Sequence, residues 1–278
     1  MRWKTRRSSH DLSRRGLIMG ILNVTPDSFS DGGRHDAPAA ALEQARRMIA
    51  DGADIIDVGG ESTRPGAEPV SAEDESARVR PVIQALRAEW DGLISIDTMK
   101  SRVALAALEA GADIVNDVAG LRDPAMVELC AGMRCGVVAM HMRGEPRTMQ
   151  AAPEYGDVVA EVRGFFEERY ASLTAAGIDA EAICFDPGIG FGKTLEHNLA
   201  LLRGLPELEV EGRPLLIGVS RKSFIGRLLE SDELSDREWP TVALTAWARE
   251  SGARVHRVHD VRPNREALRM VEAILNGV

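Results

Sequence analysis

The chain has 278 residues, with 34 lysines and arginines against 43 aspartates and glutamates, a formal net charge of −9. A hydrophobic share of 44% and a charged share of 28% exclude a disordered or fibrous chain, and the net acidity argues against nucleic acid as the main ligand. No stretch approaches the roughly 20 apolar residues of a membrane span, and three cysteines are too few for a disulfide framework, which leaves a cytoplasmic enzyme or binding protein. Residues 1–15 form a basic N-terminal arm carrying Arg2, Lys4, Arg6, Arg7, Arg14 and Arg15. No apolar signal-peptide core follows them, so a solvated tail is the expectation, with contact to an acidic partner as the alternative.

From residue 16 to residue 278 one pattern repeats: a short apolar run rich in Ile and Val, a polar or glycine-rich turn, then a longer amphipathic segment. The runs Leu17–Val24, Asp54–Val58, Leu93–Asp97, Asp113–Asp117, Gly136–Met140, Ala182–Asp186, Pro214–Val219 and Arg254–His259 predict eight buried strands. Helices are predicted over Ala37–Asp51, Ala72–Trp90, Ser101–Ala110, Asp157–Ala176, Leu195–Leu202 and Thr241–Ser251, with Asn264 as the N-cap of a last helix reaching Leu275. The echoes Asp51-Gly-Ala-Asp, Ala110-Gly-Ala-Asp and Ser251-Gly-Ala-Arg each place a glycine at a helix C-cap just before a strand. Strands alternating with helices imply a parallel sheet, and eight such units favour closure into a single-domain (β/α)8 TIM barrel. In such a barrel, polar residues at the C-terminal strand ends mark the active face. Those ends carry Asn23, Asp57, Asp97, Asn116, Asp117, His141, Asp186, Ser220 and His259.

The loops after the strands supply further candidates. Asn23-Val-Thr-Pro-Asp-Ser-Phe-Ser-Asp-Gly-Gly33 could order a hydrated metal, because Mg²⁺ often takes only one or two protein oxygens. Gly59-Gly-Glu-Ser-Thr-Arg-Pro-Gly66 offers backbone N–H groups and the planar fork of Arg64 to an anion. Asp186-Pro-Gly-Ile-Gly-Phe-Gly-Lys193-Thr194 imitates a nucleotide P-loop, but Pro187 stands where the first glycine is required. Arg221 and Lys222 make the turn after the seventh strand electropositive. Alternation puts Arg257 and His259 on one side of the eighth strand, to be met either by an anion or by Asp260, Asp27 or Asp31. Asp57 and Asp117 are alternatively structural, capping loops from below. His141 is a ligand or a hydrogen-bonded core histidine, and His197 and His256 show no partner pattern. Together the cations point to a phosphate ester, and Asp97 and Asp186 point to a heterocycle rich in N–H donors.

These segments resemble the dihydropteroate synthase family of the folate pathway over nearly the whole chain from Gly16. The resemblance rests on Met19–Gly33, Gly60–Ala67, Ser95-Ile-Asp-Thr98, Asn116-Asp117, Met140–Gly144, Asp186–Lys193, Ser220–Phe224 and Arg257–Asp260, in that order. It implies condensation of 6-hydroxymethyl-7,8-dihydropterin diphosphate with 4-aminobenzoate, giving 7,8-dihydropteroate and diphosphate, assisted by Mg²⁺ held at Asn23. Residue by residue, it implies that Asp97, Asn116, Asp186 and Lys222 hold the pterin edge and that Met140 and Phe191 line its pocket. Arg64, Arg257 and His259 would hold the diphosphate. Thr63, Arg64, Pro65, Lys222 and Ser223 would border the aminobenzoate. Phe29 and Asp31 would lie in a first loop that closes over the substrates, with Asp97 and Asp31 stabilising a cation formed on the pterin methylene. On this reading, Arg257→Ala weakens binding of the diphosphate substrate and spares plain pterin. The family is sulfonamide-sensitive and commonly homodimeric. A corrinoid-dependent methyltetrahydrofolate methyltransferase would share Asp97, Asn116 and Asp186 but needs neither Arg64 nor the first loop. An inactive pterin-binding homologue is the non-enzyme alternative. The segment from Leu228 to Thr241 is less typical of the family.

Overall fold

The three Gly-Ala echoes end helices as expected. Gly52, Gly111 and Gly252 take φ values of 100°, 117° and 104°, a left-handed turn that costs glycine no Cβ clash. Each delivers the chain directly into a strand: β4 (Ile55–Gly59), β6 (Ile114–Asp117) and β10 (Val255–Val258). The computed structural model describes residues 1–25, 33–62, 68–144, 149 and 153–277. It adds β3 (Leu17–Asn23), β5 (Leu93–Asp97), β7 (Gly136–Met140), β8 (Ile183–Asp186) and β9 (Leu216–Ile217) to the same sheet. The strands are parallel in the order β8-β7-β6-β5-β4-β3-β10-β9. A bridge from Phe185 to Leu215 joins the two edges and closes the (β/α)8 barrel.

The helices are α1 (Gly33–Ala50), α2 (Ala72–Glu89), α3 (Ser101–Ala110), α4 (Pro124–Met133), α5 (Val158–Ala175), α6 (Leu195–Arg203), α7 (Ser223–Leu229), α8 (Glu238–Glu250) and α9 (Val261–Asn276). Two of them, α4 and α7, were not expected from periodicity. The first does carry a local signal, since Asp123 accepts from the Ala125 N–H at 3.0 Å and Pro124 opens the helix. Asn264 is not an N-cap. The helix starts at Val261, because Pro263 is tolerated in a first turn where no N–H is required. Asn264 instead donates to the Asp260 carbonyl and accepts from Thr245 Oγ1, both at 2.7 Å, tying α9 to α8. No helix among the described residues is long and apolar enough to cross a membrane.

The basic arm is not a solvated tail. β1 (Arg2–Lys4) and β2 (Ser9–Asp11) form an antiparallel hairpin, with Trp3 opposite His10. Trp3 is fully buried against the apolar interior of the barrel, beside Leu17, Ile55, Leu93 and Ile114, and its indole N–H donates to the Ala182 carbonyl at 3.0 Å. An indole buries a large apolar area once its one donor is satisfied, so a single tryptophan can hold the hairpin at the end of the barrel opposite the active face. Two of the arm's cations meet acids of this same chain, Lys4 with Asp179 at 2.6 Å and Arg7 with Asp113 at 2.7 Å.

Candidate active site

Alternation along a strand sends every second side chain into the barrel. Deep in the interior these are apolar, among them Met19, Ile55, Leu93, Ile114 and Val255. One step further toward the C-terminal ends the same positions become Asn23, Asp57, Ser95, Asp97, Asn116, Asp186 and Arg257. Register aligns them: Asn23 pairs with Gly59, Gly59 with Asp97, Asp97 with Asn116, and Met140 with Asp186. Of the polar strand ends expected from the sequence, Asn23, Asp57, Asp97, Asn116 and Asp186 therefore share one layer.

Arg257 lies at its centre. Its Nε donates to Asp57 Oδ2 and its Nη2 to Asp97 Oδ2, each at 2.6 Å. Asn116 Nδ2 donates to the same Asp57 oxygen at 3.2 Å. Asp57 is thus a fully buried anchor of the pocket floor and not a loop cap, and it is Asp57 and Asp97, not Asp260, that neutralise Arg257. Asp117 does cap a loop, accepting from the N–H groups of Ala119 at 2.7 Å and Leu121 at 2.9 Å. His259 pairs elsewhere: its Nδ1 is 2.9 Å from Ser220 Oγ, and its backbone N–H donates to the same hydroxyl at 3.2 Å.

Two carboxylate oxygens of this layer, Asp57 Oδ1 and Asp97 Oδ1, are buried with no hydrogen-bond partner among the described residues. A buried acceptor left unmet is costly, so this floor is built to receive N–H donors. Burial pushes the Asp97 carboxyl up to about 7 against the pull of Arg257. Burial likewise lifts Asp186 to about 6, although Asp186 Oδ1 accepts the Gly188 N–H at 2.7 Å and Lys222 lies near. Lys222 is pushed down to about 8 by burial and by the charge of Arg257. Its Nζ sits 3.9 Å from the centre of the Phe191 ring, a cation–π contact. A Cβ at Gly190 would come within 3.2 Å of Lys222 Cδ, so the glycine-rich loop lets the lysine lie flat across it. Met140 packs with Met142 and Val118, with Phe191 against them, and the wall between β7 and the β8 loop is accordingly apolar. Ser223 begins α7 and is exposed at the rim.

Asn23 ends β3 half-buried. A Cβ built on Gly59 would stand 3.6 Å from Asn23 Oδ1 and 3.9 Å from Asp97 Oδ2, so glycine leaves open the space between the two oxygens. Among the described residues no cluster of three or more His, Cys, Asp or Glu could hold a metal. Asp31, Phe29, Thr63, Arg64, Pro65 and Asp27 lie outside the described residues.

His141, His197 and His256 resolve as core or capping groups. His141 is buried, and burial together with Lys193, Arg122 and Arg143 holds its ring down at about 3. His197 has a partner after all: Thr194 Oγ1 accepts its N–H and its ring faces the Thr194 N–H, a capping box on α6. His256 is buried with neither ring nitrogen bonded. Two residues of the site carry a role the motifs did not disclose. Asp57 shares the parity of Ile55 and Gly59, and strand alternation alone would have placed it inward. Lys193, buried at 2% exposure, has no local signal, because two of its three acceptors belong to His141, 52 positions away.

Comparison with known proteins agrees with this geometry. The family described as "Pterin binding enzyme" matches residues 19–259. A dihydropteroate synthase of Synechocystis is 48% identical over 265 residues, spanning 95% of this chain and 92% of its own. A Xanthomonas albilineans dihydropteroate synthase, solved with 4-aminobenzoic acid, superposes with a TM-score of 0.92 at 44% identity, covering 99% of this chain and 98% of that one. The Burkholderia cenocepacia enzyme complexed with 7,8-dihydropteroate gives a TM-score of 0.89 at 44% identity, covering 99% and 97%. A closed barrel whose polar layer sits in one register, matched along almost its full length by these relatives, belongs to the pterin-binding enzyme family, among the dihydropteroate synthases.

Proposed function

We infer that the chain condenses 6-hydroxymethyl-7,8-dihydropterin diphosphate with 4-aminobenzoate, releasing 7,8-dihydropteroate and diphosphate. The observation that carries this reading is the buried acceptor set, with Asp97 Oδ1 unmet beside Asn116 and Asp186 across the barrel, flanked by the cations Lys222 and Arg257. An aminopyrimidine edge presents adjacent N–H donors to such carboxylates, while a diphosphate takes the cationic side. The ligands named for the Xanthomonas and Burkholderia enzymes, 4-aminobenzoic acid and 7,8-dihydropteroate, are the acceptor and the product of this reaction.

The chemistry breaks the bond from the pterin methylene carbon to the diphosphate oxygen and forms a bond from that carbon to the aminobenzoate nitrogen, which loses a proton. Positive charge developing on the methylene spreads to the ring nitrogens. A ring N–H beside Asp97 then becomes a stronger donor, and a carboxyl lifted to about 7 is drawn into its ionised form as the charge grows. No protein nucleophile is required. Arg257 commits Nε and Nη2 to the floor, leaving Nη1 for the ligand, with His259 on the phosphate side. Asp31 and Arg64, with Thr63 and Pro65, retain the roles the resemblance assigns to them.

Mg²⁺ fits this site. Asn23 would supply one neutral oxygen beside an open space, and a diphosphate would bring further oxygens, a donor set that suits an ion keeping most of its waters. When bound, the ion offsets charge on the departing diphosphate. Turnover of both substrates is expected with Mg²⁺ and is expected to fall at least about 100-fold in EDTA. Diphosphate release without dihydropteroate would move the acceptor elsewhere. Tight pterin binding with no turnover would favour the methyltransferase or inactive-homologue reading.

The free, buried Cys130, Cys135 and Cys184 suit a reducing cytoplasm. The partner we assign is a second copy of the chain, seated on the atypical segment, where Leu228, Leu229, Leu234 and Trp239 are 58%, 47%, 55% and 78% exposed. Sedimentation at the mass of one chain under assay conditions would exclude it.

A further inference from the structure

The loop after β8 holds Phe191 beneath Lys222, and its own bonds, from the Gly188 N–H to Asp186 Oδ1 at 2.7 Å and from the Phe191 N–H to the Gly188 carbonyl at 3.0 Å, close only its turn. Gly188, Gly190 and Gly192 take φ values of 65°, 82° and 60°, so every second residue is in a conformation that glycine enters and leaves freely. External ties fix where that turn sits. Asn198 Oδ1 accepts the Gly190 N–H at 2.7 Å, and the Tyr155 hydroxyl donates to the Gly192 carbonyl at 2.9 Å. The tie nearest Phe191 comes from Lys193. Its Nζ lies 3.0 Å from the Phe191 carbonyl, 3.3 Å from the His141 carbonyl and 3.1 Å from His141 Nδ1. An ammonium has three N–H donors and no acceptor, and here three acceptors meet it, two from the end of β7 and one from the loop. Close packing reinforces the seam, since a Cβ at Gly188 would collide with the His141 carbonyl.

We propose that Lys193 is a positioning residue of the pterin pocket: by stitching the Phe191 carbonyl to His141 it holds the Phe191 ring where Lys222 lies over it, and so sets the cationic wall facing Asp186. The inference rests on the pterin reading of that pocket. A surface lysine could not do this, because water would compete for each bond. Lys193 is 2% exposed, and its charge is retained only by the fit of its three acceptors. Burial also brings its ammonium down to about 7, with Asp186 opposing and Lys222 assisting that fall. Arg122 and Arg143 press on His141 in the same direction, so His141 stays neutral and accepts through Nδ1. Above about pH 7 the lysine gives up one of its three donors, and the seam slackens.

The test uses the full chain and plain 7,8-dihydropterin as the probe, with affinity read by calorimetry from pH 6 to 9. Lys193→Met keeps the length and removes the charge. It is expected to lose pterin affinity by roughly 10- to 100-fold at pH 6.5, as a displaced binding group does, and to show a shallower loss of affinity above pH 7 than the parent. The 4-aminobenzoate KM, measured at saturating pterin diphosphate, is expected to change less than about threefold. His141→Phe, which retains the ring contacts and both carbonyl bonds but removes Nδ1, is expected to show a smaller shift in the same direction, and it serves if Lys193→Met does not fold. Parental affinity and an unchanged pH profile in a folded Lys193→Met or His141→Phe chain would overturn the positioning role. Absence of pterin binding by the parent chain would instead overturn the functional reading beneath it.

Discussion

Arg257→Ala is expected to abolish measurable turnover, a fall of about 1,000-fold or more, and to lower plain pterin affinity by about tenfold as well. The second effect departs from the expectation drawn from the motif, in which Arg257 served only the diphosphate. In the folded chain its Nε and Nη2 are each 2.6 Å from a buried carboxylate, Asp57 and Asp97. Removing the guanidinium leaves two acids facing one another without a counter-charge. Asp97, already lifted to about 7 with the arginine present, then takes up a proton and ceases to be a pure acceptor. Breaking a buried pair from one side costs about 3–5 kcal/mol of stability, so the variant should also unfold at lower urea. Arg257→Lys restores a charge but cannot bridge both acids, because an ammonium lacks the planar fork. It is expected to recover stability in part and turnover hardly at all. Plain pterin bound by Arg257→Ala as tightly as by the parent would confine Arg257 to the leaving group and remove the floor from pterin recognition.

Asp186→Asn is expected to weaken both pterin and its diphosphate by about 100-fold, measured as dissociation constants at pH 8. The substitution preserves the acceptor for the Gly188 N–H at 2.7 Å, so the loop keeps its turn. It places an amide, which donates, where the ligand also donates. The pH dependence of the parent follows from the same groups. Asp97 and Asp186 have folded values of about 7 and about 6, raised above the ordinary 3.8. Their contribution to apo stability is therefore full below about pH 3.8 and is lost as pH rises through 6 and 7. Both ionise across that range, so pterin affinity, and the thermal stabilisation that pterin confers, should grow from pH 5 to about pH 7, above which the slackening of the Lys193 seam opposes the gain. Asp186→Asn should remove the lower of the two steps. His141 and His256 act in the opposite sense on stability. Held down at about 3, they contribute stability above about pH 6.5 that is lost as pH falls toward 3. A pterin affinity that is flat between pH 5 and pH 7 would show that neither carboxylate has to ionise on binding.

The strands of the barrel were legible because each is a short Ile/Val-rich run bounded by glycine or a polar turn, and a parallel strand buried on both faces must be written that way. Helices with a cap or a long amphipathic stripe were legible too. Of those missed, α7 spans only seven residues, and α4 is apolar nearly throughout yet buries only Met126 and Cys130, so no stripe stands out in either. The hairpin at residues 2–11 was misread because its charge count resembles a tail. Only Trp3 argues otherwise, and its burial depends on an apolar socket assembled from strands far along the chain. The motif residues Asn23, Asp97, Asn116 and Asp186 were visible as polar groups at strand ends, and the fold brings them with Arg257 into one layer, with Lys222 beside it from the turn before α7.

What the order of residues by itself determined was the period, the punctuation and the chemical inventory: eight strand-and-helix units, carboxylates and cations at one end, and family motifs in sequence. These are local properties, set by side-chain volume, alternation and backbone preference within a few residues. Which cation meets which acid belonged to the tertiary structure. Arg257 reaches Asp57 across 200 positions and Asp97 across 160, and Lys193 reaches His141 across 52. Such pairings exist only after closure of the barrel has removed the water that would otherwise screen them, and it is that exclusion of water that lifts Asp97 and Asp186 toward neutrality and readies the floor for a ligand that donates hydrogen bonds.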